Sequence, residues 1–81
     1  MIAKIMSDFS PGECRKRVEH LSPQLREVLK RMAAGLATKQ IADEMALAIP
    51  TVYVYRERIY SKLQVNNLAG ATRVAIGARL I

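Results

Sequence analysis

The residues best equipped for chemistry in this chain gather in one stretch. "IPTVYVYRERIYSKL", residues 49 to 63, holds Tyr53, Val54, Arg56, Glu57, Arg58 and Lys62, and Lys39 lies one short element earlier. Guanidinium and ammonium groups of this kind neutralise phosphates. Catalytic groupings have no comparable support. Ser10, Ser22 and Ser61 lack any His–Asp context for a nucleophile. His20 has no Asp, Cys or second His at ligand spacing, so it reads as a surface residue and no metal is expected. Cys14 is the single cysteine. It excludes an internal disulfide and a cysteine-cluster zinc site, and it fits a reducing compartment. Gly70 and Gly77 belong to no strand–loop–helix unit, so no phosphate loop is present. Nothing calls for a cofactor, and an enzyme is not expected.

Charge agrees with this. Thirteen Lys and Arg stand against seven Asp and Glu in 81 residues, a formal charge of +6 and a pI near 10.0. Such a chain has room for one domain with a small core. Its basic excess suggests a polyanion, nucleic acid ahead of an anionic membrane. "RKR" at 15–17 is most simply a solvated helix face. "MIAKIM" is too short for a signal peptide, and no apolar run reaches membrane-spanning length.

The elements that must position these residues are helices. "SPGE" at 10–13 is a capping box and starts a short helix from Pro11 to about Glu19. That helix is polar apart from Cys14 and Val18, so it needs a partner surface. Ser22 and Pro23 open a second helix, with Leu25, Val28, Leu29 and Met32 at i, i+3, i+4, i+7 and Gly35 as its stop. Thr38 caps a short third helix with Ile41, Ala42 and Met45 on its buried stripe.

The stretch from Thr51 to Tyr55 is made of β-formers and invites a strand. A strand would place Thr51, Tyr53, Tyr55, Glu57 and Ile59 on one face, which is not an apolar set. A helix places Val52, Ile59 and Leu63 together, beside Tyr55 and the stem of Arg56. It also accepts Pro50 in its first turn. The period therefore predicts a helix from about Ile49 to Leu63. Its opposite side then presents Pro50, Val54, Glu57 and Ser61, flanked by Tyr53 and Arg58. Asn66 or Asn67 caps a last helix, with Leu68, Ala71, Val74, Ala75 and Ala78 facing inward. Ala69, Thr72, Arg73 and Ile76 lie on its other side.

Two helices joined by a tight connection, braced before and after, make a helix-turn-helix unit. Residues 21–81 resemble the LuxR/FixJ-type DNA-binding domain. The resemblance is carried by "LSP" and "REVL", by "GLATKQIA", by "TV" followed by Arg56, Ile59 and Lys62–Leu63, by Val65 and Asn67, and by the closing "RLI". It implies an all-α, four-helix domain at 21–81, preceded by an extension at 1–20 that holds the short extra helix. It also implies a DNA-binding transcription regulator of the bacterial cytoplasm, with no membrane association. The helix at 49–63 would enter the major groove of double-stranded DNA, and the last helix would support a homodimer on DNA. Tyr53, Val54 and Glu57 correspond to the family's groove-reading positions. Thr38, Lys39, Thr51 and Lys62 correspond to its backbone-contacting positions, with Arg56 close by and Arg58 at the flank. The dimer face would be Ala69, Thr72, Arg73 and Ile76.

The chain departs from the family pattern at several of these positions. Ala46 stands where a turn glycine is usual, and Ala48 where Ser or Thr usually caps the groove-reading helix. Tyr53 replaces a common Lys and Tyr55 a common His. Glu57 brings a negative charge towards the groove, where it could accept from cytosine N4. Two other readings follow. One is a single-domain interaction protein that modulates a larger LuxR-type regulator or RNA polymerase with little DNA binding. The other is the promoter-binding fourth region of a sigma factor, against which the tail "VNNLAGATRVAIGARLI" argues. A stand-alone regulator and an output domain of a longer protein both fit the sequence.

Overall fold

The computed structural model describes residues 11–80 and contains five α-helices and no strand among them. They are α1 (Pro11–Glu19), α2 (Pro23–Ala33), α3 (Thr38–Met45), α4 (Ile49–Leu63) and α5 (Leu68–Gly77). Ser10 and Ile81, which carry part of the expected capping box and of the closing "RLI", lie outside the described residues.

Each start has a local cause. The Ser22 hydroxyl accepts from the Leu25 N–H at 3.2 Å, and Pro23 follows at the first helical position. The Asn67 side chain accepts from the Gly70 N–H at 2.9 Å. The start of α3 corrects an expectation. Ala37, not Thr38, is the N-cap, and it offers no side-chain oxygen. The Gln40 side chain instead reaches back to accept from the Ala37 N–H at 2.8 Å. Thr38 is therefore inside the helix, and its hydroxyl is released for other use.

The ends share one device. After α2, α3, α4 and α5 the chain passes through a left-handed residue: Gly35 (φ 95°), Ala46 (φ 55°), Gln64 (φ 58°) and Arg79 (φ 56°). In each case the next N–H bonds back five residues, as Leu36 to Arg31, Leu47 to Ala42, Val65 to Tyr60 and Leu80 to Ala75. These bonds satisfy carbonyls the helix leaves open. Only the first uses glycine, the residue for which this conformation is free of strain.

One core unites the helices. Val28 and Leu29 of α2, Ile41 of α3, Val52, Ile59 and Leu63 of α4, and Ala71, Val74 and Ala75 of α5 are fully buried. The apolar stripes expected of α2 and α4 are the ones found. Cys14 and Val18 of α1 join the same cluster, so α1 has the partner surface its polarity demands. It packs chiefly on α5 and also on α4. Two expectations fail here. Arg17 is not on a solvated face: it is buried, and its Nη1 donates to the Leu63 carbonyl at 2.9 Å. Leu68 does not face inward but is 41 % exposed. Helical side chains lean towards the N-terminus, so this first residue of α5 leans past the packed part of the helix.

Candidate nucleic-acid interface

The interface is built on the α3–α4 pair. Leu47 and Ala48 follow the left-handed Ala46 and turn the chain into α4, whose N-cap Ala48 makes no side-chain bond. Pro50 in the first turn supplies the φ that the missing cap does not help to fix. The buried stripe of Val52, Ile59 and Leu63 holds α4 on its inner side. Everything on the opposite side is consequently outside. Pro50, Tyr53, Val54, Glu57, Arg58 and Ser61 are all exposed, Tyr53 by 57 % and Val54 by 49 %.

The cations divide into two kinds. Lys39, Arg58 and Lys62 are exposed, and none forms an ion pair among the described residues. Arg58 lies over the Tyr55 ring, 6.0 Å from its centroid, within cation–π range. Arg56 differs. It is half-buried, and it donates to the Thr38 hydroxyl at 2.6 Å and to the Tyr60 hydroxyl at 3.2 Å. Arg56 and Thr38 thus meet each other at the junction of the two helices. Thr51, half-buried in the first turns of α4, completes the set expected to face the backbone.

Tyr55 leans towards the core and donates to Gln24 Oε1 at 3.3 Å. On the far side of α3, Arg31 binds Glu44 at 3.0 Å and Glu27 at 3.1 Å, tying α2 to α3. The Arg31 hydrogen bond, with Lys30 nearby, holds the Glu27 carboxyl below the usual carboxylate range. These exposed pairs orient side chains more than they stabilise the fold.

Two residues of interest escaped the sequence reading. Ile49, the first residue of α4, is 41 % exposed and extends the apolar part of the outer face. Arg17 had a signal that was available. Cys14, Arg17, Val18 and Leu21 fall at i, i+3, i+4, i+7, so Arg17 occupies an apolar-stripe position and its stem is buried there.

On α5, Ala69, Arg73 and Ile76 are exposed, Ile76 by 58 %. Thr72 is half-buried, and its hydroxyl donates to the Leu68 carbonyl at 2.8 Å. Among the described residues no helix is long and apolar enough to cross a membrane. No group of three or more His, Cys, Asp or Glu there could hold a metal ion.

This helix-turn-helix geometry coincides with a family match. The family of bacterial regulatory proteins described as the luxR family (GerE) matches residues 19–75. The chain belongs to the luxR family. It is 38 % identical over 65 residues to the transcriptional regulatory protein FixJ of Bradyrhizobium diazoefficiens, covering 80 % of this chain and 32 % of that protein. It is 39 % identical over 74 residues to the probable transcriptional regulatory protein NarL of Mycobacterium tuberculosis, covering 86 % and 34 %. A probable HTH-type transcriptional regulator, GfsR of Streptomyces halstedii, is 49 % identical over 51 residues, covering 63 % and 21 %. The chain spans about a third or less of the length of these relatives. The luxR-family match begins at the end of α1 and covers α2 to α4 and all but the last two residues of α5. The luxR-family domain is the helix-turn-helix DNA-binding domain of transcription regulators, and the all-helical fold found here is that domain.

Proposed function

We propose that this luxR-family domain binds specific sites on double-stranded DNA by inserting α4 into the major groove, and that it regulates transcription as a dimer. Residues 21–81 form the DNA-binding unit, and α1 braces it. Tyr53, Val54 and Glu57 face base edges. Lys39, Arg58 and Lys62 neutralise phosphates, and Thr38, Thr51 and Arg56 line the backbone beside them. Arg56 acts mainly through Thr38, which it already contacts.

The observation that carries this reading is the outer face of α4. It is exposed from Pro50 to Ser61, and its neighbouring cations are unpaired among the described residues. The family match supports the same reading. It favours DNA binding over an interaction module that leaves DNA alone.

Dimerisation is proposed through α5. Ile76 stands among small residues, Ala69 and Gly77, so a second α5 can approach closely. A two-fold pairing would set two α4 helices about 34 Å apart, one duplex turn. The patch is small, so the free chain is monomeric and pairs on DNA.

The test is duplex selection followed by titration of variants. Tyr53→Ala and Val54→Ala should blunt discrimination between sequences, whereas Lys39→Ala and Lys62→Ala should weaken all duplexes alike. Identical behaviour of the two pairs would contradict the assigned roles.

A further inference from the structure

The middle of α4's outer face lacks the side chains that read purines in pairs of bonds, and the one Arg exposed on that side, Arg58, stands at its flank over the Tyr55 ring. Ile49, Pro50, Tyr53, Val54, Glu57 and Ser61 include no Lys, Arg, Asn or Gln. Arg and Lys are the usual partners of guanine O6 and N7, and Asn and Gln those of adenine N6 and N7. What remains is one carboxylate, which only accepts, the hydroxyls of Tyr53 and Ser61, which donate or accept alike and so select no base, and a run of apolar surface. Of the five large apolar residues exposed among the described residues, three are Ile49, Tyr53 and Val54 on this face.

The major groove offers a carboxylate two donors, cytosine N4 and adenine N6. The adenine donor is flanked by acceptors on both sides, N7 and thymine O4, which repel a carboxylate. The cytosine donor has an acceptor on one side only, guanine O6. Glu57 therefore favours cytosine. The apolar groups have one natural partner in the groove, the C5-methyl of thymine. We infer that this helix reads pyrimidines: Glu57 accepts from cytosine N4, while Tyr53 and Val54 cover thymine methyls on neighbouring steps. The inference rests on the DNA reading above and narrows it to a class of site.

Spacing is compatible. Val54 and Glu57 are three residues apart, which puts their Cβ atoms about 5–6 Å apart. Successive bases on a strand rise by about 3.4 Å. The cytosine and the thymine thus lie one or two steps from each other. Glu57 accepts no hydrogen bond and forms no ion pair among the described residues, so its carboxylate is available to the base.

The experiment selects a half-site from random duplexes and titrates it with uracil in place of each contacted thymine, which removes only the methyl. Wild type should lose about fourfold in affinity per buried methyl. Val54→Ala should lose less at the same position. Glu57→Gln should exchange a cytosine preference for adenine, since glutamine pairs with N6 and N7. All these side chains are exposed, and circular dichroism checks that the variants fold. Equal binding of uracil and thymine duplexes would overturn the inference, as would an unchanged cytosine in the site selected by Glu57→Gln. Either result with firm duplex binding leaves the DNA reading standing. Absence of duplex binding by wild type would end both.

Discussion

The Arg56 guanidinium donates to the Thr38 hydroxyl at 2.6 Å, across the junction of α3 and α4 and 18 residues of sequence. The bond joins the two helices of the helix-turn-helix. A helix that carried Thr38 as its cap would have spent the hydroxyl on its own N–H groups. Here Gln40 serves the cap residue and leaves Thr38 free for Arg56. Thr38→Val keeps the shape and removes the acceptor. It should cost about 1 kcal/mol, because the donor is charged and the site half-buried. Urea titration should show a lower midpoint with an unchanged slope. Thr38→Ser should behave as wild type.

Arg17 is expected to hold α1 against the end of α4. Its bond to the Leu63 carbonyl is buried, and its ion pair with Glu13 is longer, 3.4 Å. Arg17→Met retains an apolar stem but no donor, and should destabilise by about 2 kcal/mol. Cys14 reports the same event. Burial pushes its thiol up, against the lowering pull of Arg17, so it is inert while α1 is docked. A thiol reagent should modify it faster in Arg17→Met than in wild type. Equal rates would mean that α1 docks without the arginine.

Ala46 occupies a left-handed conformation that favours glycine. An alanine there costs about 1–2 kcal/mol, offset in part by glycine's greater freedom in the unfolded chain. Ala46→Gly should therefore raise stability by about 0.5–1 kcal/mol. Ala42→Gly, inside α3, should lower it by about 1 kcal/mol or more. Thermal unfolding of the two variants should show shifts of opposite sign.

Ile76→Asp should leave the fold intact, since Ile76 is exposed and outside the core. It should abolish cooperative binding to paired half-sites and spare binding to one. Circular dichroism and titrations on both duplexes make the comparison. Unchanged cooperativity would move the dimer contact away from α5.

Much of this architecture was legible in the residues. Ser22–Pro23, Gly35 and Asn67 mark helix ends because their side chains, or the lack of one, act locally. Val52, Ile59 and Leu63 mark α4 as a helix despite its β-formers, because the apolar period outweighs propensity. What was hidden depends on the tertiary surroundings. Whether Thr38 caps α3 is settled by Gln40 and Arg56, one of them 18 residues away. Arg17 looks solvated beside Arg15 and Lys16 until the Leu63 carbonyl, 46 residues on, gives it a partner. Leu68 fits an inward stripe by count, but α5 begins at that residue and the core does not reach it. The outer face of α4 was read correctly from Pro50 to Ser61, because exposure there follows from the buried stripe alone.

Whether α4 and the unpaired cations beside it meet a duplex is decided by the salt dependence of binding to random DNA. Each neutralised phosphate contributes about −0.9 to the slope of log affinity against log salt. Lys39, Arg58 and Lys62 should together give a slope of about −3 per domain, falling by about 1 in Lys62→Ala. A wild-type slope near zero would contradict the account.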